Sequence, residues 1–459
     1  MAGRTPFQCP ADGRCHPQSG GAGPHPYEDS IMNSTLDGIA AVHDRPPRSA
    51  TPFRAGLLGI AAGLFALWIT RDQPALDAAT RAVIASLAII GTIALHEIFI
   101  SRVYLRPSAG LSRHAVRPLG IARVATRLGA LASIYAGIGA IYWLLPEYHG
   151  AFYLPFWSLL RSLAPYVIVA APFYFAWMDR HQRETDDAYL LWGRFLFRRE
   201  KPANWQPVRE MLAGWGVKAF FLPLMTVYLS KDADHLSASL ANALHAPMTL
   251  ATFVFLYDLS FTMDLMFGTV GYLCTFRILD SHVRSVEPTT LGWLAALICY
   301  QPFWSLISTN YIRYEGSLFW DNWLLSAPTI RVIWGTAIIL LLMTYALSTI
   351  SFGLRFSNLT NRGIITSGPY RFTKHPAYIA KNLSYWMVSV PFVEPLGWQV
   401  ALMHCAALVA VNLIYYLRAK TEERHLMRDP DYRAYAEWIA QHGLFARIRH
   451  AFGGRHATA

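Results

Sequence analysis

Ten apolar runs, separated by loops of alternating charge, constrain this chain more than any other feature. They fall at about 54–70, 82–100, 126–145, 155–178, 211–229, 247–268, 291–310, 329–350, 379–394 and 397–417. A bilayer core needs about 17–25 apolar residues per helical crossing, and most of these runs meet that length. The loop after the second run carries Arg102, Arg106, Arg113, Arg117 and Arg123. The loop after the fourth carries Arg180, Arg183, Arg194, Arg198, Arg199, Lys201 and Arg209, and the stretch after the eighth carries Arg355, Arg362, Arg371 and Lys374. The intervening loops, such as 146–154 and 230–246, are nearly free of Lys and Arg. Basic loops mark the cytoplasmic side, so the pattern predicts an all-α, polytopic membrane protein of about ten transmembrane helices with both termini cytoplasmic.

Composition excludes the main alternatives. Charged residues make up 15% of the chain and hydrophobic residues 54%, against about 25% charged in an ordinary soluble domain. Short alternating strands of the kind that build a membrane barrel are missing. The net charge of +11 lies in clusters beside the apolar runs, which fits topology and anionic lipid headgroups and gives no reason to expect nucleic acid. Cys274, Cys299 and Cys405 lie in or beside apolar segments and read as packing residues. Cys9, Cys15 and His16 lack a second ligand pair, so no metal site is expected. Residues 1–50, rich in Gly, Pro and His, read as a disordered cytoplasmic tail within which Met32 is a candidate start. No internal repeat of the kind found in duplicated transporters is visible.

Chemistry concentrates near the end of the chain, in Gly368-Pro369-Tyr370-Arg371-Phe372-Thr373-Lys374-His375-Pro376-Ala377-Tyr378. Gly and Pro make this a loop meeting the membrane surface, and Pro369 and Pro376 remove two backbone donors. Its aromatic rings and cations suit a headgroup anchor. The apolar hairpin 379–417 then brings Arg418, Lys420, Thr421, Glu422 and Glu423 back to the same side. The acids have a structural explanation as the start of a cytosolic helix after Thr421, and topology does not require them. Residues 421–442 continue in a broken amphipathic pattern, interrupted at Asp429-Pro430, which suits a surface helix or a lid.

Together, the GPYRFTKHPAY segment, the hairpin, RAKTEE and DPDYRAYAEWI resemble the catalytic module of the isoprenylcysteine carboxyl methyltransferase and phospholipid N-methyltransferase superfamily, over roughly 355–440. Where that family usually has Arg before His-Pro, this chain has Lys374, which keeps the charge without the bidentate fork. The resemblance implies S-adenosylmethionine as methyl donor. It implies cofactor contacts from Gly368, Tyr370, Arg371, Lys374, His375, Pro376, Tyr378, Glu422 and Glu423, and catalytic roles for His375, Glu423 and Arg418. It also implies a lipid or lipid-linked acceptor at the cytoplasmic face of a membrane, here expected to be a bacterial inner membrane. Either O- or N-methylation is compatible with these residues, because a carboxylate or phosphate acceptor needs no base and an amine does.

The eight runs before this module resemble no family. The expected organisation is therefore a tail (1–50), an N-terminal transmembrane domain (51–350) and a methyltransferase-like module (351–459). Acids inside apolar runs are costly and face a cavity or a partner. Asp258, near mid-span, is the candidate substrate contact ahead of Asp264, and Glu97 is expected at the interface. Those acids and the number of spans also fit a transporter or lipid-binding protein, and a nicotinamide-dependent membrane reductase is a third reading. Oligomeric state is not encoded.

Overall fold

Gly56, Gly59 and Gly63 lie along one side of the first long helix, where a Cβ on any of them would come within 3 Å of Ile350, Ile93 or Ile89 respectively. Small residues let membrane helices approach backbone to backbone where lipid supplies no hydrophobic drive. That contact joins α1 (Phe53–Thr70) to α2 (Ala78–Leu95) and to the end of a much later helix. The computed structural model describes residues 46–247, 249–316 and 318–453. The expectations for a disordered tail, for Met32 and for Cys9, Cys15 and His16 lie outside them.

Among the described residues 74% are helical, with almost no sheet. After α2 come α3 (Ile121–Leu144), α4 (Leu154–His181), α5 (Ala188–Arg198), α6 (Gln206–His245) and α7 (Leu250–Leu273). Then follow α8 (Thr290–Leu297), α9 (Phe303–Asn310), α10 (Trp320–Trp323) and α11 (Pro328–Ile350). The C-terminal part holds α12 (Pro376–Ser389), α13 (Trp398–Leu426), α14 (Pro430–His442) and α15 (Leu444–Gly453). Among the described residues eight helices are long and apolar enough to cross a membrane: α1, α2 with its following turn, α3, α4, α6, α7, α11 and α13. The protein is therefore an integral membrane protein built of helices.

Two of the ten expected runs are not single long helices. Run 291–310 is split into α8 and α9, eight residues each, around Pro302. Run 379–394 is helical only as far as Ser389, where the 14-residue α12 ends as Val390 takes a left-handed φ of 37°. The path of the chain explains both. A two-residue antiparallel ladder pairs β1 (Ser285–Val286) with β2 (Thr360–Asn361), so the chain between them leaves and returns to the same level. One leg is α11, about 34 Å long at 1.5 Å per residue, and the broken stretch 290–327 makes the other. Likewise α12 and residues 390–397 run against the long α13. Trp386 donates to Asn412 Oδ1 at 2.8 Å and Asn412 donates to Asn382 Oδ1 at 2.9 Å, polar links that hold these two helices together.

The arginine-rich loops meet at one end. Ser112 N–H donates to His181 O at 2.7 Å, Ser108 donates to Asp280 at 2.9 Å, and Arg362 donates to the carbonyls of Ser281, Gly271 and Phe356 at 2.7, 2.7 and 3.0 Å. Glu97, expected at the interface, is wholly buried within the protein. A π-helical turn at His96–Ile100 carries it inward, where it accepts from Arg355 and from Thr51 (2.8 Å). The acids after Thr421 do not start a helix either. They lie in the last two turns of α13, and the next helix starts at Pro430, capped by Asp429.

Candidate active site

Where β2, the 361–375 loop and the end of α13 converge, they enclose a cavity with about 990 Å³ of unfilled space, its open mouth included. Most of its wall comes from five sources. Asp264 comes from α7, and Glu287, Gly292, Ala296 and Tyr300 come from the stretch after β1. Tyr345 and Thr349 come from α11, and Tyr370, Lys374, His375, Tyr378 and Lys381 from the loop and α12. Tyr415, Arg418, Glu422 and His425 come from one face of α13. A smaller cleft lined by Gly363, Ile364, Ile365 and Tyr432 shares Thr360, Tyr370, Lys374, His375 and Glu422 with it.

The loop holds its shape through its backbone. Gly368 sits at φ 64°, a left-handed conformation that suits glycine, and a Cβ there would fall 2.4 Å from Ser351 Oγ. The Tyr435 hydroxyl donates to Tyr370 O at 2.8 Å, tying α14 over the loop. Tyr432, Tyr435, Trp438 and Ile439 of α14 are buried with Ile364, and Tyr370 packs against them. Burial, then the nearby Glu422 charge, raises the Tyr370 phenol well above its usual range, so the ring is neutral.

His375 and Tyr378, one helical turn apart at the start of α12, stack with ring centroids 5.5 Å apart. His375 Nε2 lies 3.0 Å from Glu423 Oε1; a carboxylate only accepts, so that nitrogen carries a proton. Glu423 also receives Lys374 at 2.8 Å and Lys420 at 3.1 Å. It does not itself line the cavity, so its geometry is that of a brace behind His375 and Lys374. Tyr378 donates to Glu422 Oε2 at 2.8 Å. Arg418 lies between the Tyr300 and Tyr378 rings, 5.7 and 5.5 Å from their centroids, and donates to the Asn358 side-chain oxygen.

Of the residues expected from sequence, Tyr370, Lys374, His375, Tyr378, Arg418 and Glu422 line the cavity. Gly368 and Pro376 shape the backbone around it, and Arg371 is exposed away from it. Asp258 is half-buried and outside the wall, whereas Asp264 is in the wall and accepts from Tyr345 at 2.6 Å and Thr349 at 2.5 Å. Sequence reasoning missed Glu287, Tyr300, Asn358, Thr360, Lys381 and His425. Lys381 had a signal, a lone cation inside an apolar run. Glu287 had a weaker one, an acid in an arginine-rich loop. The others had none.

Residues 329–428 match the isoprenylcysteine carboxyl methyltransferase (ICMT) family, so the C-terminal module of this chain is similar to that family. The match covers less than a quarter of the chain and includes most of α11 and all of α12 and α13. It supports a membrane methyltransferase in general terms. No curated protein and no solved structure matches the chain.

The cavity suits the methyl donor that such enzymes generally use. It sets a guanidinium and a carboxylate beside neutral tyrosine rings. Two buried oxygens of its lining residues, Glu287 Oε2 and Thr360 Oγ1, have no hydrogen-bond partner among the described residues, as expected where a ligand supplies one.

Proposed function

We propose that this chain uses S-adenosylmethionine to methylate a lipid or lipid-linked acceptor at the cytoplasmic face of its membrane, a bacterial inner membrane by the resemblance. The observation that carries the reading is the meeting of Arg418, Glu422, Tyr378 and His375 around one cavity at the arginine-rich end of the helices. S-adenosylmethionine, when bound, supplies an activated methyl group on a sulfonium.

The chain's residues then divide the work. Arg418 would hold the cofactor carboxylate, held itself by Asn358 and two rings so that little side-chain freedom is lost on binding. Glu422 would hold the ammonium. Tyr370 offers a flat neutral ring for adenine, and Tyr378 a ring face for positive charge. His375, fixed by Glu423, would hydrogen-bond the cofactor tail. Asp264, Tyr345, Lys381 and Tyr415, which come from α7, α11, α12 and α13, give the cavity a polar wall on the side where a lipid-borne acceptor would enter. Methyl transfer is an in-line displacement, for which the protein mainly supplies alignment and a dry site. The arginine-rich end faces the cytoplasm by the positive-inside rule, where the cofactor is available.

The test is transfer of labelled methyl from S-adenosylmethionine to a total lipid extract by purified protein. Label appearing in the organic phase is expected. Alkali-labile label reports an ester and alkali-stable label an amine, which decides between O- and N-methylation. Absence of label with a total lipid extract of the native host would remove the lipid acceptor.

A further inference from the structure

Glu287 lies outside the segment that resembles a methyltransferase, in the loop that leaves β1 for α8. Its side chain is 3% exposed. Its backbone N–H donates to Leu359 O at 2.7 Å, fixing the residue against β2. One carboxylate oxygen is occupied by the fold itself, since Oε1 accepts from the Thr289 N–H at 3.0 Å and from the Thr289 hydroxyl, at the start of α8. The other oxygen, Oε2, has no hydrogen-bond partner among the described residues, and His425 Nδ1 is 3.9 Å away. Thr360 Oγ1 is likewise buried without a partner. Both residues line the cavity, and Thr360 also lines the smaller cleft. The fold makes room for the carboxylate, since a Cβ on Gly292 would fall 2.4 Å from Glu287 Cγ.

A buried carboxylate oxygen without a donor is destabilising, and native proteins seldom keep one without use. The position of Glu287 selects among donors. Arg418 and Glu422 provide charge for an amino-acid tail, whereas Thr360 lies where the cavity meets the cleft of Ile364, Ile365 and Tyr432, which suits a flat base. Between base and tail of an adenosyl ligand lies the ribose. We propose that Glu287 Oε2 accepts hydrogen bonds from the ribose hydroxyls of the bound nucleoside, with Thr360 as a second partner. This assignment rests on the cofactor reading above. It makes the N-terminal region part of the cofactor site, where the family match would put only C-terminal residues.

The experiment is calorimetric titration of the detergent-purified full chain with two probes, S-adenosylhomocysteine and 5′-methylthioadenosine, the second lacking the amino-acid tail. Glu287→Gln keeps the oxygen that Thr289 uses. It is expected to weaken both probes by a similar factor, about 10–100-fold for a lost charged hydrogen bond. Thr360→Val is expected to weaken both by less. Loss confined to S-adenosylhomocysteine would move Glu287 to the ammonium and overturn the assignment, as would unchanged binding of both. If Glu287→Gln does not fold, Thr360→Val decides by the same comparison of probes. Wild-type protein that binds neither probe removes the cofactor reading and this inference with it. Wild-type binding with an unaffected Glu287→Gln removes this inference alone.

Discussion

Two clusters of buried charge in this protein use the same residue types to opposite ends. In the first, Arg127 on α3 is wholly buried, donating to Asp179 at 2.7 Å, Asp187 at 2.7 Å and Thr185 O at 3.1 Å. Asp179 in turn accepts from Arg123 and from the Gly120 N–H, both at 2.8 Å. These partners answer one another, and none of them lines the cavity. In the second, Arg418 meets an amide oxygen and two rings, while Glu287 leaves one oxygen unanswered beside an open cavity. Saturated charge locks α3 to the end of α4 and the start of α5. Unsaturated charge around a void is a place for a ligand. Counting buried charges does not find a site here, and an unfilled bond points to one only where it borders a cavity: Glu97 Oε2 and Arg106 Nε are also unpartnered among the described residues, yet neither residue lines the cavity or the smaller cleft.

Breaking the saturated cluster should have the larger effect on stability. Arg127→Met strips Asp179 and Asp187 of a buried partner, a change that typically costs about 3–5 kcal/mol. Thermal unfolding in detergent should show a large drop in midpoint, with cofactor affinity preserved in whatever fraction remains folded. A midpoint close to wild type would mean the cluster is not the frame described here.

A smaller effect, from a buried histidine outside both clusters, shows in the pH dependence of stability. Burial, reinforced by Arg277 and Arg284, holds His282 well below the usual imidazole range of 6.5, so the folded state keeps it neutral. Its contribution is therefore present above pH 6.5 and is lost as pH falls below it, because the unfolded chain takes up the proton first. Stability should decline on acidification by at most about 1.4 kcal/mol per pH unit from this group. His282→Gln should flatten that slope when unfolding is followed between about pH 7 and 5. An unchanged slope would assign the pH dependence elsewhere.

The same contrast explains what could be read in advance. Membrane helices were legible because length and hydropathy are local properties, and the arginine alternation gathered the right loops at one end. His375, Tyr378 and Glu422 were legible because they cluster in sequence on either side of a hairpin. The breaks at Pro302 and Val390 were not, since an apolar run reads the same whether its helix is continuous or interrupted. Asp264 and Asp258 are six residues apart on one helix, and no local signal says which of them turns to the cavity. Glu287, Asn358 and Thr360 reach the site only through a two-residue ladder that joins positions more than seventy residues apart. Glu422 and Glu423 illustrate the limit from the other side. Adjacent in sequence, they part in space, one lining the cavity and the other bracing His375 from behind.

The central claim is that the cavity at the end of α13 binds the methyl donor. Titrating S-adenosylhomocysteine into purified, folded protein tests it most directly, with His375→Ala, Glu423→Ala and Asp258→Asn run beside wild type. The account predicts saturable binding competed by S-adenosylmethionine, weakened about 10-fold or more in the first two variants and unchanged within about twofold in the third. No binding by folded wild-type protein, or equal loss with Asp258→Asn, would contradict it.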